Sequence, residues 1–404
     1  MAKPKLALIP ATQGSKLYSV LPADGVGDFT FSRGSAATRI NKDGLIETVA
    51  SGVSRLNYPL IDGVVNGCPS HLLEPSRSNL IPYSEDFSNA SWEKTNITVP
   101  SSRVISPDGT LNADKLERTS TGGYLKTDVS TSGEQSYTVF LKKGDLNFGR
   151  ILARGTGNPN VYFDLNNGTV GTETNAIGSI EYYGNGWYRC NIVYDVIISS
   201  VRIYVTENDD STVGINGYIY SFGAQLEQGS YPTSYIPTNG TAVTRSAETA
   251  NGAGDASTFN DSEGVLMAEI SALANDGLKR SISINDGSSS NRFILRFGIT
   301  DNTIEVVSVS NNTAVLLSSV TVSNTLISSK VAFKWDSNNY VLYVNGIIET
   351  SINNLIKPLV LNKLQFNDGN NNLNPFYGNT KKIQYYDSAL NDSDLEKITS
   401  WTSF

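Results

Sequence analysis

The chain has 404 residues, 39% apolar and 17% charged, with a formal net charge of −8, which leaves room for two or three domains. No run of basic residues occurs, so a phosphate-backbone partner is not expected. No apolar run approaches the ~20 residues that a membrane span needs, so no membrane insertion is expected.

Gly (35), Tyr (20) and Phe (14) are plentiful and Met (2) is scarce, and Thr, Ser, Asn and Val are frequent, the composition of β-sandwiches with polar turns. Cys68 and Cys190 are too few and too far apart for a disulfide framework, and they suit assembly in a reducing cytosol. The basic start Met1–Lys5 is followed only by Leu6–Ile9 before Pro10, too short for a signal-peptide core. A protein of this kind working outside a cell would then be released by lysis.

Leu6–Pro10 reads as one short strand. Lys42-Asp43-Gly44 is a hairpin signal, because glycine tolerates the positive φ of the turn; its arms are Arg39–Asn41 and Leu45–Glu47. Residues 1–82 are polar and poor in long apolar runs, so they read as a small extended attachment or oligomerisation region stabilised by partners. Residues 83–238 carry alternating strands at Tyr137–Lys142, Val161–Leu165, Gly186–Tyr194 and Val201–Val205, separated by Asn/Gly and Pro/Asp/Gly turns. After Gly217–Glu227, Pro232 and Pro237 remove backbone donors, so the chain leaves as an extended connector. Residues 239–261 read as a linker. Residues 262–404 hold strands at Val265–Ile270, Arg280–Ile284, Phe293–Phe297, Ile304–Val309, Lys330–Trp335, Tyr340–Val344 and Lys363–Phe366. Asn345-Gly346 is a hairpin turn, and the one good helix starts at Asn391 or Ser393 with acids in its first turns. The expected fold class is all-β: two tandem jelly-roll or β-sandwich domains after the small extended N-terminal region.

Chemistry-bearing patterns are sparse. His71 is the only histidine, so a Ser-His triad or a Cys/His zinc site is not expected; it reads as a turn or interface residue. Asp164, Glu181, Glu269 and Asp336 stand singly beside apolar residues, and no strand carries an alternating pair of acids, although distant carboxylates could still pair in space. Glu207–Ser211 and Asp368–Asn372 are oxygen-rich but read as solvated turns; whether calcium binds is left open. No catalytic, cofactor or metal residue is assigned. Weak saccharide-stacking candidates are Trp92, Tyr182, Tyr183 and Tyr377; Trp187 and Trp335 read as core.

Three resemblances bear on function. FGAQLEQGSYPTSYIPTNGTAVTR (222–245), with YTVFLK and GWYR before it, resembles the end of a carbohydrate-binding-module jelly roll found in phage fibres and xylanases. FSRGSAATRINKDGLIETV, RLNY and LLEPSRSNLIPYSEDFSNASW (within 29–92) resemble an N-terminal module of tailed-bacteriophage fibre and appendage proteins. VAFKW, LYVNG and IQYYDSALNDSDLE (within 331–396) resemble a concanavalin A-like, laminin-G-like jelly roll. They imply a virion structural protein, a tail fibre or appendage subunit. It would attach to host-surface glycan or to other virion proteins through the N-terminal region, as a homotrimer and without enzymatic activity. The alternatives are a capsid head fibre or decoration protein, a glycan-degrading hydrolase and a secreted glycan-binding protein.

Overall fold

The computed structural model describes residues 2–10, 12–13, 16–336, 339–353, 356–369 and 372–401. The chain is all-β, apart from one helix at Asp392–Thr399 among the described residues. Two sandwiches account for most of it.

The central sandwich packs a six-stranded sheet on a seven-stranded one. In the first, neighbours run Glu93–Thr95, Tyr124–Thr131, Ile198–Thr206, Phe148–Gly155, Asn160–Asp164 and Thr169–Thr174. The second is built on Glu134–Lys143, flanked by Trp187–Asp195 and by the long strand Gly217–Gln228. Alternate residues of each strand point inward, so Leu125, Ile151, Val161, Val201 and Ile203 meet Val139, Leu141, Ile192, Ile219 and Leu226 in one buried core. The strands expected from the sequence in this unit are all present.

The C-terminal sandwich packs a five-stranded sheet, Thr313–Thr321 to Lys363–Gln365, against an eight-stranded sheet. Three of those eight strands come from the N-terminal region. Leu6–Leu8 pairs with the Ile383–Tyr385 stretch of Gly378–Tyr386, Ser70–Leu73 pairs further along the same strand, and Arg55–Asn57 extends the sheet. Leu6, Leu8, Phe29, Phe31 and Leu73 lie in the same core as Leu266, Phe293, Phe333 and Trp335. The first 82 residues are therefore extended as expected, but they do not stand apart. A segment too small to bury its own apolar side chains completes another sandwich. The 239–261 stretch is likewise extended yet paired: Val243–Arg245 with Arg77–Asn79, and Thr249–Asn251 with Phe29–Ser32.

Both hairpins form where the turn residues called for them. Ala37–Ile40 pairs with Ile46–Val49 around Gly44 (φ 79°), and Asn339–Val344 pairs with Ile347–Asn353 around Asn345 and Gly346 (φ 52° and 87°). Leu390, Leu395 and Ile398 lay the helix region on Val265, Met267 and Tyr343, on the outer face of the large sheet. Asn391 is the cap, its side chain accepting from the Asp394 amide at 2.9 Å. Asn391→Ala is expected to cost about 1 kcal/mol in urea unfolding; no change in midpoint would mean the packing of Leu395 and Ile398 holds the helix alone.

Candidate functional site

The segments that carry the resemblances converge on one buried cluster of ion pairs. Arg33, Arg55 and Glu74 come from the N-terminal region, and Arg245 and Glu248 from beyond the central sandwich; all five are at most 3% exposed. Glu248 takes Arg33 Nη1 at 2.6 Å and Arg55 Nε at 2.9 Å, pairs again with Arg55 Nη2, and accepts the Glu74 amide at 2.9 Å. Glu74 in turn meets Arg55 at 2.8 Å and Arg245 at 2.9 Å, and accepts the Ser234 amide and hydroxyl at 2.8 and 2.6 Å. Burial alone would raise the Glu74 carboxyl; Arg245 and Arg55 override it and hold it at about 2. For Arg55, burial is outweighed by Glu248 and Glu74, which raise the guanidinium further.

The proline-rich junction is tied down beside this cluster. Glu227 accepts the Thr233 amide at 2.9 Å and also its hydroxyl, Gln225 Nε2 donates to Glu227 at 2.7 Å, and Gln225 Oε1 accepts the Ile236 amide at 2.6 Å. The side chains of the GAQLE and YIPT motifs thus satisfy the backbone donors of a segment that belongs to no sheet. These bonds build structure.

Above this floor opens a cleft of about 440 Å³. Its walls come from every part of the chain: Asn57 and Tyr58 from the N-terminal region, Glu181, Tyr183 and Arg189 from the central sandwich, Thr233–Tyr235 from the junction, and Ser271, Ser328, Asn379 and Lys381 from the C-terminal sandwich. Arg189 is pinned by its bond to the Thr233 carbonyl at 2.6 Å and lies over the Phe140 ring. Tyr183 is half-buried, edge-on to Phe140 at 5.0 Å, and its hydroxyl is raised by burial and then by Glu181. Glu181 keeps surface open to water, yet the cleft walls still raise its carboxyl, with Arg189 opposing. The Lys381 ammonium has no hydrogen-bond or ion-pair partner among the described residues.

Of the residues expected to stack on sugar, only Tyr183 lines the cleft. Trp92 is a correction: it is 1% exposed, its Nε1 donates to the Tyr83 carbonyl at 2.8 Å and its ring packs on Phe87, so it is core. Tyr182 points elsewhere, its ring 5.0 Å from Tyr188 and its hydroxyl accepting the Gly186 amide. Tyr377 is half-buried against the C-terminal core. Trp187 and Trp335 are core, as read. His71 is not a turn residue but the middle of a buried strand, with its ring edge-on to Phe31 and Phe366. The oxygen-rich loops behave differently: Asp209 is engaged by Thr172, whereas Asn370 and Asn371 of the second loop lie outside the described residues. The described residues contain no group of three or more His, Cys, Asp or Glu placed to hold a metal. The cleft's polar walls were missed in the sequence because Asn57, Arg189 and Lys381 sit singly on unrelated strands.

No family model and no curated protein matches the chain. Among solved structures, the CBM40 module of the Ruminococcus gnavus IT-sialidase bound to α2,3 sialyllactose is similar at 17% identity and a TM-score of 0.31, over 37% of this chain and 94% of that one. The NanB sialidase of Streptococcus pneumoniae is similar at 16% and 0.31, over 37% of this chain and 26% of that one. The SAP-like pentraxin of Limulus polyphemus is similar at 12% and 0.28, over 34% and 70%. These scores carry no weight for what the chain binds. The sheets themselves define its class: an all-β protein of two sandwiches, the second completed by the chain's own N-terminus.

Proposed function

We propose that this chain is a non-catalytic attachment protein of a tailed-phage particle, a fibre or appendage subunit, and that its cleft receives a saccharide. The observation that carries the saccharide reading is the cleft wall: Asn57, Asn379, Ser271, Ser328, Lys381 and the half-buried Tyr183 line it together, with the Asn57 and Asn379 oxygens held by the Ile40 amide and the Ser70 hydroxyl, and the phage particle rests on the motif resemblances. Two features of the site support binding over turnover. Among the described residues the carboxylates lining it are Glu74 and Glu181, and Glu74 is fully engaged by Arg55, Arg245 and Ser234. Glu181, whose carboxyl burial raises, is then left without a second free carboxylate for glycoside cleavage. Attachment to other virion proteins would use the outer surface of the N-terminal region, where Val20, Ile61 and Val64 are exposed, because the edges of its Leu6–Leu8 and Ser70–Leu73 strands are already paired. The homotrimer and the virion location belong to the same proposal.

The test is a glycan array with the full-length chain, since removing residues 1–82 would strip strands from the C-terminal sheet. Lys381→Met should weaken any array signal about tenfold, the effect of losing one charged hydrogen bond. Its melting temperature should stay put, because the Lys381 ammonium makes no bond within the fold and Met keeps the half-buried apolar stem. Unchanged binding by Lys381→Met and Tyr183→Phe together, or release of reducing ends from a bound glycan, would overturn the reading. Density for the chain on an intact particle decides between tail and capsid.

A further inference from the structure

The outer face of the six-stranded central sheet carries a row of side chains that the cleft does not use. Tyr124, Tyr204, Arg150 and Tyr162 are directly in register across four neighbouring strands. Their strand neighbours Leu125, Ile151, Val161 and Ile203 point into the core, so this row points out. The Arg150 guanidinium lies 4.9 Å from the Tyr204 ring centre and 5.0 Å from that of Tyr162, and Arg202, one rung along, lies 4.5 Å over Tyr124. Arg154 follows on the strand of Arg150, in register with Ser200.

The arginines of this face stand outside the ion pairs. Among the described residues none of Arg150, Arg154 and Arg202 is ion-paired, although acids outnumber bases 39 to 31 in the chain. Each fork is instead steadied by a neutral acceptor: Asn160 Oδ1 at 2.8 Å from Arg150 Nε, Asn158 Oδ1 at 3.0 Å from Arg154 Nη1, and the Tyr204 hydroxyl at 3.1 Å from Arg202 Nη1. The nearby acids lie at the two ends of the row, Asp209 and Asp210 beside Tyr162, and Glu93 and Asp128 at the Tyr124 edge. Glu93 and Asp128 both hold Lys126, and Asp209 holds the Thr172 amide and hydroxyl. Three aimed guanidiniums without ion-pair partners, each with N–H groups left over, are a recognition surface for planar or tetrahedral anions. Arg150 and Arg154 are four residues apart on one strand, so the cations span about 13 Å, enough to track a linear chain.

We propose that this face binds an acidic polysaccharide, one bearing carboxylate or sulfate groups along its length. A single-stranded nucleic acid fits less well. The Tyr162 and Tyr204 rings are 4% and 8% exposed beneath the arginines, leaving no open ladder for bases to stack on. The surface is independent of the cleft, and the two can fail separately.

The experiment is affinity electrophoresis of the full chain in gels carrying alginate, dextran sulfate or neutral dextran, with a single-stranded oligothymidylate measured alongside. Retardation is expected in alginate or dextran sulfate, and which of the two retards identifies carboxylate or sulfate. It should weaken with added salt and be absent in neutral dextran. The triple variant Arg150→Gln, Arg154→Gln, Arg202→Gln should lose it at least tenfold, and exposed Arg154→Gln alone, which disturbs no packing, should lose part of it. The cleft variant Lys381→Met should be retarded like the parent. Equal retardation of parent and Arg154→Gln, equal retardation in neutral dextran, or tighter binding of the oligonucleotide than of either polysaccharide would overturn the proposal.

Discussion

Glu248→Gln is expected to lower folding stability by about 3–5 kcal/mol, the usual result of removing one partner from a buried ion pair. Glu248 is the shared acceptor of Arg33, Arg55 and the Glu74 amide, and the side chains of the Arg33–Glu248 and Arg55–Glu248 pairs are 0% exposed. A neutral amide keeps the shape but leaves two guanidiniums without their main counter-charge in a site that water does not reach. It also turns an NH₂ toward Arg33 or Arg55. The loss should appear as a lower urea midpoint with the slope unchanged, because the surface exposed on unfolding is the same. Lys42→Gln is the control: the Lys42–Asp43 pair is 75% and 61% exposed, and its loss should leave the midpoint alone. A Glu248→Gln midpoint equal to the parent's would mean that the cluster contributes nothing net, and that strand pairing and apolar contacts join the N-terminal strands to the C-terminal sandwich.

Much of this architecture is legible in the sequence, because strand periodicity is local. Tyr137–Lys142 and Val265–Ile270 alternate, and Asn345-Gly346 can only turn tightly. What stays hidden is the pairing of elements far apart in the chain. Leu6–Leu8 looks like an isolated apolar trio, and nothing local says that its partner is Ile383–Tyr385. The same holds for the ion cluster. Arg33, Arg55, Glu74 and Arg245 all fall inside the motifs that carry the resemblances, yet each looks like an ordinary surface charge until three regions of the chain meet. No local signal marks them, because successive strand side chains face opposite ways and a charge beside an apolar residue is the ordinary solvated position. The candidate site divides in the same way. Tyr183 could be found beside a glycine-rich turn, and Trp92 was misplaced because an aromatic near a loop and an aromatic under one look alike in sequence. The unpaired arginines of the outer sheet face become visible only when strand register sets Arg150 between Tyr204 and Tyr162.

His71 should set the acid limit of this fold. Its ring is fully buried between Phe31 and Phe366, in register with Leu56 and Thr380, and neither nitrogen has a hydrogen-bond partner in the structure. Burial, and then the nearby charge of Arg55, lower it from 6.5 to about 3. The folded chain therefore holds this imidazole neutral while the unfolded chain protonates it near 6.5. Above that pH the two states bind protons alike. Below it the unfolded state gains a proton that the folded state refuses, so stability falls from pH 6.5 down to pH 3, by on the order of 4 kcal/mol if the full shift is realised. Glu74 adds a second, more acidic stage: its carboxyl lies at about 2 against an ordinary 4.5, so its contribution is complete above 4.5 and drains away toward pH 2. His71→Leu separates the two. It removes the upper stage, leaves the lower one, and should be neutral or stabilising at pH 7, because an imidazole without partners gives way to an apolar side chain among phenylalanines. Urea midpoints of parent and variant at pH 7, 5 and 4 are the measurement. Parallel loss in both would place the acid sensitivity elsewhere than at His71.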